Sequence, residues 1–205
     1  MTDEKGPGSP GEPERVTIGQ TRLLANDWGV LTKYTITYQR RDGVAQQLTR
    51  ETYDRGDGAA ILLINVATHT VLLTRQFRLP AYVSGHRDDL IEVCGGMLDD
   101  HDPAAAIRRE VEEEMGVTID AVRKIGCYYM SPGSVTERIH FFIGAYDSSM
   151  RRAAGGGLQE EGEEIEVLEL DFDEALAMVD DGRIIDAKTI MLLQHAALKN
   201  LFDRD

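Results

Sequence analysis

The chain has 205 residues, 42% of them hydrophobic, with 22 Lys and Arg against 36 Asp and Glu, a formal net charge of −14. That length suits one domain with a sizeable core, or one domain plus a small dimerisation element. The acidic balance argues against nucleic acid and anionic membranes, whose binding depends on clustered Lys and Arg, but not against an anionic small substrate, since a metal and a few arginines reverse the field locally.

Residues 1–14 (MTDEKGPGSPGEPE) are rich in Gly, Pro and charge and are expected to form a disordered tail. Residues 15–56 read as a small β element. Within it Val30–Tyr38 alternates as a strand, Arg41-Asp42-Gly43 is a hairpin turn, and Thr49–Tyr53 is the partner. Residues 57–205 read as the main domain. Ala59–Val66 and Thr70–Thr74 are β-rich apolar runs, and Leu90–Cys94 is a strand leading into a turn at Gly95-Gly96. Val122–Met130, Ile139–Tyr146 and Ile165–Leu170 are further strands. Gly155-Gly156-Gly157 reads as a flexible connection before an acidic stretch, Glu160 to Glu166. Asp173–Asp181 and Ala187–Phe202 read as helices, the first capped by Asp171 or Asp173. Strands with helices on both sides imply a mixed α/β sandwich.

Cys94 and Cys127 show no metal or redox spacing and read as buried thiols in a reducing compartment. No apolar run approaches about 18 residues, and no basic-then-apolar leader is present, so a cytoplasmic protein is expected.

The chemistry concentrates in a helix starting at Pro103. Asp102 is a plausible N-cap, Pro103 suits the first helical position, and Ala104–Ala106 are good helix formers. Ala104, Ile107, Val111 and Met115 make an apolar stripe, and Glu110, Glu113 and Glu114 stand beside it at spacings of three and four. Such like charges destabilise a helix unless neutralised. Mg²⁺ removes that cost, because it prefers oxygen ligands and is held by one or two carboxylates plus substrate phosphates. An ordinary solvated acidic helix is the bland alternative, with Arg109 merely pairing with Glu113 four residues on.

Other residues carry two readings each. Arg75 and Arg78, after a strand, can both present guanidinium forks to phosphate or be solvated strand-end charges. Glu92 shares a strand face with Leu90 and Cys94, so it is either paired with an arginine or aimed into a cleft, and the cleft is favoured. Glu137 ends the loop Met130-Ser131-Pro132-Gly133-Ser134-Val135-Thr136 and is a substrate contact, a base or a surface glutamate. Lys188 follows Asp186 at a helix N-terminus, where the dipole disfavours it, and so is either incidental or placed to reach a phosphate.

The stretch from Gly95 to Val117 resembles the Nudix box: Gly, five residues, Glu, seven residues, then Arg-Glu-apolar-X-Glu-Glu-X-Gly-apolar. Gly95, Arg109, Glu110, Val111, Glu113, Glu114, Gly116 and Val117 fall in register, and His101 departs where the pattern has Glu. Asp102 beside it is a candidate to take over part of that role. The likeness to the GDP-mannose pyrophosphatase branch of Nudix hydrolases runs from about Gly19 to Phe202. It is carried by Arg50-Glu51-Thr52-Tyr53-Asp54-Arg55-Gly56, Thr74-Arg75-Gln76-Phe77-Arg78, Met130-Ser131-Pro132-Gly133, Ile139-His140-Phe141-Phe142-Ile143, Gly155-Gly156-Gly157 and Ile165–Leu170.

The resemblance implies a Nudix α/β/α sandwich with a mixed sheet, preceded by a dimer-swapped N-terminal β element. It implies metal ligation by the Gly95 carbonyl, Glu110 and Glu114, with Glu113 as a further ligand or support. Glu163 would complete the site, with Glu160, Glu161 or Glu164 as substitutes. Arg78, Gly96, Met97, Glu137 and Lys188 match substrate-contact positions. Trp28, Thr49, Arg50 and Glu51 match positions that reach substrate from the partner of a homodimer, Trp28 stacking on the guanine unless it is a core tryptophan. The implied reaction is Mg²⁺-dependent hydrolysis, Mn²⁺ able to substitute, of a nucleoside diphosphate sugar: GDP-mannose to GMP and mannose 1-phosphate. Glu163 or Glu137 would serve as base. ADP-ribose hydrolysis to AMP and ribose 5-phosphate is the nearest alternative, and a non-catalytic nucleotide sensor a distant one.

Overall fold

In a computed structural model, residues 15–98, 102–158, 160 and 162–203 are described. The expected tail, His101 and Glu161 lie outside them. The chain forms two compact units: one holds the residues up to Arg55 together with Ser131–Thr136, the other Gly56–Met130 and Glu137 onward.

The first unit is a three-stranded antiparallel sheet, β1 (Val16–Asn26), β2 (Val30–Gln39) and β3 (Ala45–Asp54), in that order. The β2–β3 turn uses Gly43 at φ +81°, where a side chain would be strained, and the Asp42 carboxylate accepts a bond from Val44 N. β1 was not foreseen as a strand, because Gly19, Gln20 and Arg22 break its alternation; its pairing with β2 carries bulges at Ile18/Thr21 and Leu23/Ala25. The backbone of Tyr53 holds the loop at Ser131–Thr136: Tyr53 N donates to Ser134 O at 2.9 Å and Thr136 N to Tyr53 O at 3.1 Å. No residue of these three strands is buried, and Ile18, Leu23 and Trp28 are well exposed.

The second unit is built on a seven-stranded mixed sheet: β4 (Gly58–Asn65), β5 (Thr70–Gln76), β6 (Leu90–Glu92), β7 (Cys94–Met97), β8 (Val122–Tyr129), β9 (Arg138–Ala145) and β10 (Ile165–Asp171). The order is β10-β5-β4-β9-β8, with β6 on β5 and β7 on β4, and only β4 and β9 run parallel. Every residue of β4 is buried. Its alternation therefore feeds two cores. Ala60, Leu62 and Ile64 join Phe141 under α3 (Phe172–Asp180) and α4 (Ala187–Leu198), which bring Phe172, Leu192 and Leu193. Ala59, Ile61 and Leu63 join Phe142 under α2 (Pro103–Met115), which brings Ile107, Val111 and Met115. This is the expected α/β/α sandwich.

Three local expectations are corrected. Leu90–Cys94 is two strands, not one: Glu92 pairs with Thr74 of β5 and Cys94 with Ile61 of β4. At the switch Val93 N leaves the sheet and donates to Thr189 Oγ1 at 2.8 Å. Gly95 and Gly96 lie within β7, opposite Ala60 and Ala59, rather than in a turn. The last helix ends at Leu198, short of Phe202, and a five-residue helix α1 (Leu79–Val83) was not foreseen. Among the described residues no helix is long and apolar enough to cross a membrane.

Candidate active site

The helix α2 is held at both ends by its own sequence. Asp102 accepts a bond from Ala105 N at 3.0 Å, Pro103 occupies the first turn, and Gly116 ends the helix at φ +66°. A Cβ on Gly116 would collide with Ala153 and Gly155. The Gly155-Gly156-Gly157 run is no loose connection, because it caps this helix. Gly156 N donates to Glu114 O at 2.9 Å and Gly157 N to Glu113 O at 3.3 Å, satisfying carbonyls that a helix end leaves bare. All three glycines have positive φ. Just beyond, Glu163 turns back to accept a bond from Leu158 N at 2.9 Å.

The box carboxylates are thus collected on one side of α2. Glu114 is only 2% exposed, and its Oε2 has no hydrogen-bond partner among the described residues. Burial, then the charges of Glu110 and Glu163, push its pKa up to about 8 against the opposing pull of the Cys94 thiol and Arg78. Burial, then Glu113 and Glu163, lift Glu110 to about 7, with Arg109 working the other way. Arg109 lies 3.6 Å from Glu110 and 3.8 Å from Glu113, both loose contacts. The Cys94 thiol itself is pushed well up, by burial first and then by Glu114.

Buried, mutually repelling carboxylates with an orphan oxygen suit a hard divalent cation. Glu110 and Glu114, with Glu163 near enough to raise both, have the donor chemistry for the metal that the box implies. A separate grouping, His69, Asp171 and Asp173, brings three donor atoms within 4.8 Å, but it is largely exposed and Asp171 serves as the N-cap of α3.

The expected phosphate-binding cations do not behave as a matched pair. Arg75 points to Glu166 at 2.8 Å, whereas Arg78 Nε donates to Glu92 at 2.6 Å. Glu92 is 3% exposed and also takes Lys188 Nζ at 3.3 Å, so its pairing supersedes the cleft-facing reading. Lys188 donates to Asp186 at 2.7 Å as well; burial alone would lower its pKa, but Asp186 and Glu92 raise it. Gly96 and Met97 sit on β7 opposite Ala59 and Gly58. Glu137 is half-buried at the head of β9, next to Arg138, whose Nε and Nη2 both donate to Asp57 Oδ2.

The other expected contacts belong to the first unit. Thr49, Arg50 and Glu51 are exposed on β3, Glu51 pairing with Lys33 at 3.3 Å. Trp28 is 76% exposed, with the Arg55 guanidinium 5.3 Å from its ring, so it is no core tryptophan. Sequence reasoning read Cys94 as a buried thiol but not as one that lies beside the box glutamate Glu114. The only signal was its place one residue before Gly95.

Comparison with known proteins places this geometry. Residues 15–53 match the family described as GDP-mannose pyrophosphatase NudK N-terminal domain, and residues 54–193 match the NUDIX domain. A GDP-mannose pyrophosphatase of Pectobacterium atrosepticum is 52% identical over 91% of this chain and 96% of its own. One from Salmonella paratyphi B is 47% identical over 93% of this chain and 99% of its own, and one from Escherichia coli O1:K1 is 44% identical over the same shares. A crystal structure of an ADP compounds hydrolase superposes with a TM-score of 0.70 over 93% of this chain and 97% of its own, at 16% identity, a likeness of fold alone. The chain belongs to the Nudix hydrolases, in the GDP-mannose pyrophosphatase NudK family.

Proposed function

We propose that the protein hydrolyses the diphosphate bond of GDP-mannose in the cytoplasm, as a homodimer, with Mg²⁺ or Mn²⁺ in the site, giving GMP and mannose 1-phosphate. The identity to GDP-mannose pyrophosphatases supports the substrate. The observation that carries the chemistry is the pair Glu110 and Glu114, one orphaned oxygen between them and both held far above the ordinary carboxylate range.

Gly95, Glu110 and Glu114 would hold the cation, Glu113 would support them, and Glu163 would complete the set. When bound, such a metal neutralises the diphosphate and lowers the pKa of a coordinated water. Arg78 and Lys188 stabilise charge building on the transferring phosphoryl group. Glu163 takes the proton of the attacking water, with Glu137 as the alternative base. Gly96, Met97 and Glu137 contact the substrate. Trp28 stacks on the guanine, and Thr49, Arg50 and Glu51 reach in beside it, all four from the partner subunit. Water's oxygen ends on one phosphate and the diphosphate bridging oxygen leaves with the other.

The test is product analysis by chromatography with Mg²⁺, offering GDP-mannose, ADP-ribose and other nucleotide sugars at equal concentration. GMP and mannose 1-phosphate are expected as the fastest products. Faster cleavage of ADP-ribose would keep the Nudix chemistry and remove the substrate.

A further inference from the structure

The buried carboxylate of Glu92 has no role in the reaction as described, yet it joins two residues that do. Its side chain is 4% exposed, and a charge so placed must be compensated. Two cations from separate elements meet it: Arg78, which precedes α1, at 2.6 Å on Oε2, and Lys188, in the first turn of α4, at 3.3 Å on Oε1. Each cation is thus fixed by a different oxygen of one carboxylate. The bond to Arg78 uses Nε alone. The Arg78 side chain remains 42% exposed, and its guanidinium makes no other hydrogen bond among the described residues. Its charge is nevertheless felt at Glu114.

The far side of Glu92 is also fixed. Asp186 takes Lys188 Nζ at 2.7 Å and caps α4 by accepting from Thr189 N at 2.9 Å, and Thr189 Oγ1 holds Val93 N. The residue next to Glu92 is therefore clamped to the helix that carries Lys188. A charge-neutral quartet built only for stability would have no reason to leave the forked end of Arg78 open. Nε is spent on orientation, and the two Nη groups stay available for a bidentate contact with phosphate oxygens.

We infer that Glu92 is a positioning residue, which presets the open donors of Arg78 and Lys188 for the substrate diphosphate. The inference rests on the reading of Arg78 and Lys188 as phosphate contacts. Holding both in place before substrate arrives moves the ordering cost out of the reaction.

The experiment is a kinetic double-mutant cycle of Glu92→Gln and Arg78→Ala, run on whichever diphosphate of the panel the wild type cleaves fastest, alongside Mn²⁺ affinity measured by EPR without substrate. Glu92→Gln is expected to lower kcat/KM roughly a hundredfold and leave the Mn²⁺ Kd unchanged. The double variant should lose less than the product of the two single losses, because the share of the Glu92 effect that runs through Arg78 is already gone while the share through Lys188 remains. Glu92→Asp, which keeps the charge but shortens its reach, should recover part of the loss, and it stands in if the glutamine variant does not fold. Losses that multiply in the double variant, activity within twofold of wild type, or a weakened Mn²⁺ site would overturn the role. A wild type that prefers another diphosphate defeats the GDP-mannose reading while leaving the cycle decisive.

Discussion

Gly96 lies directly against the carboxylate of Glu110: a Cβ placed on Gly96 would stand 2.6 Å from Glu110 Oε2 and 2.7 Å from Oε1. Gly96 is not in the left-handed region, so alanine is allowed by the backbone, and the group that must yield is the end of a flexible side chain. Gly96→Ala is therefore expected to fold with little change in Tm while displacing Glu110. Metal affinity should fall about 10- to 100-fold, the usual effect of disturbing what orients a ligand. Calorimetric titration with Mn²⁺ checks it, and an unchanged Kd would remove Glu110 from the ligand set.

The metal-free protein should lose stability as pH rises. Glu110 and Glu114 hold protons in the folded state up to about pH 7 and about pH 8, whereas both release them near the ordinary value of 4.5 when unfolded. Between those limits the native state binds more protons, so stability, complete at acid pH, declines as pH climbs through the window. The slope is up to about 1.4 kcal/mol per pH unit for each group. Urea unfolding in EDTA from pH 5 to pH 8 measures it. Glu114→Gln should flatten the decline and raise metal-free stability at pH 8, while abolishing turnover. For the same reason metal binding should release protons and tighten with pH.

Glu163 and Glu137 compete for the role of base. The charge of Glu163 registers at Glu110, Glu114 and Cys94, so it lies near the Glu110 and Glu114 carboxylates. Glu163→Gln is expected to lower kcat by about 10²- to 10⁴-fold with KM little changed. Glu137→Gln should act mainly on KM. The reverse pattern transfers the proton-accepting role to Glu137.

Trp28 offers a test of both the stacking and the dimer. At 76% exposure it contributes little to its own unit, and Trp28→Ala should change stability by no more than about 0.5 kcal/mol. Loss of a base stack should raise KM for GDP-mannose about tenfold or more. Mixing Trp28→Ala with Glu114→Gln, after allowing subunits to exchange, should restore turnover at the wild-type KM, which neither shows alone. No recovery in mixed dimers would mean that each chain uses its own tryptophan.

Much of this arrangement could be read from the chain because its signals are local. Asp102, Pro103, the Ile107–Val111–Met115 stripe and Gly116 specify α2 within one window, and the box glutamates come with it. What could not be read depends on distant partners. The break at Val93 exists because Thr189, 96 residues on, takes its amide. Gly155-Gly156-Gly157 read as loose because the carbonyls it caps belong to Glu113 and Glu114. Glu92 shares the alternation of an apolar strand, and nothing nearby announces that Arg78 and Lys188 will meet on it. The five-residue α1 is too short to show a period.

The clasp between Tyr53 and the 131–136 loop also bears on inheritance. The chain passes between its compact units at Arg55/Gly56, Met130/Ser131 and Thr136/Glu137, so the N-terminal sheet is not a pendant that one cut removes. A truncation at residue 55 would strand the Ser134 carbonyl and the Thr136 amide that Tyr53 now occupies. Any recombination that swaps the first 55 residues between relatives must therefore carry residues 131–136 with it, or replace them with a loop that accepts from the residue 53 amide and donates to its carbonyl.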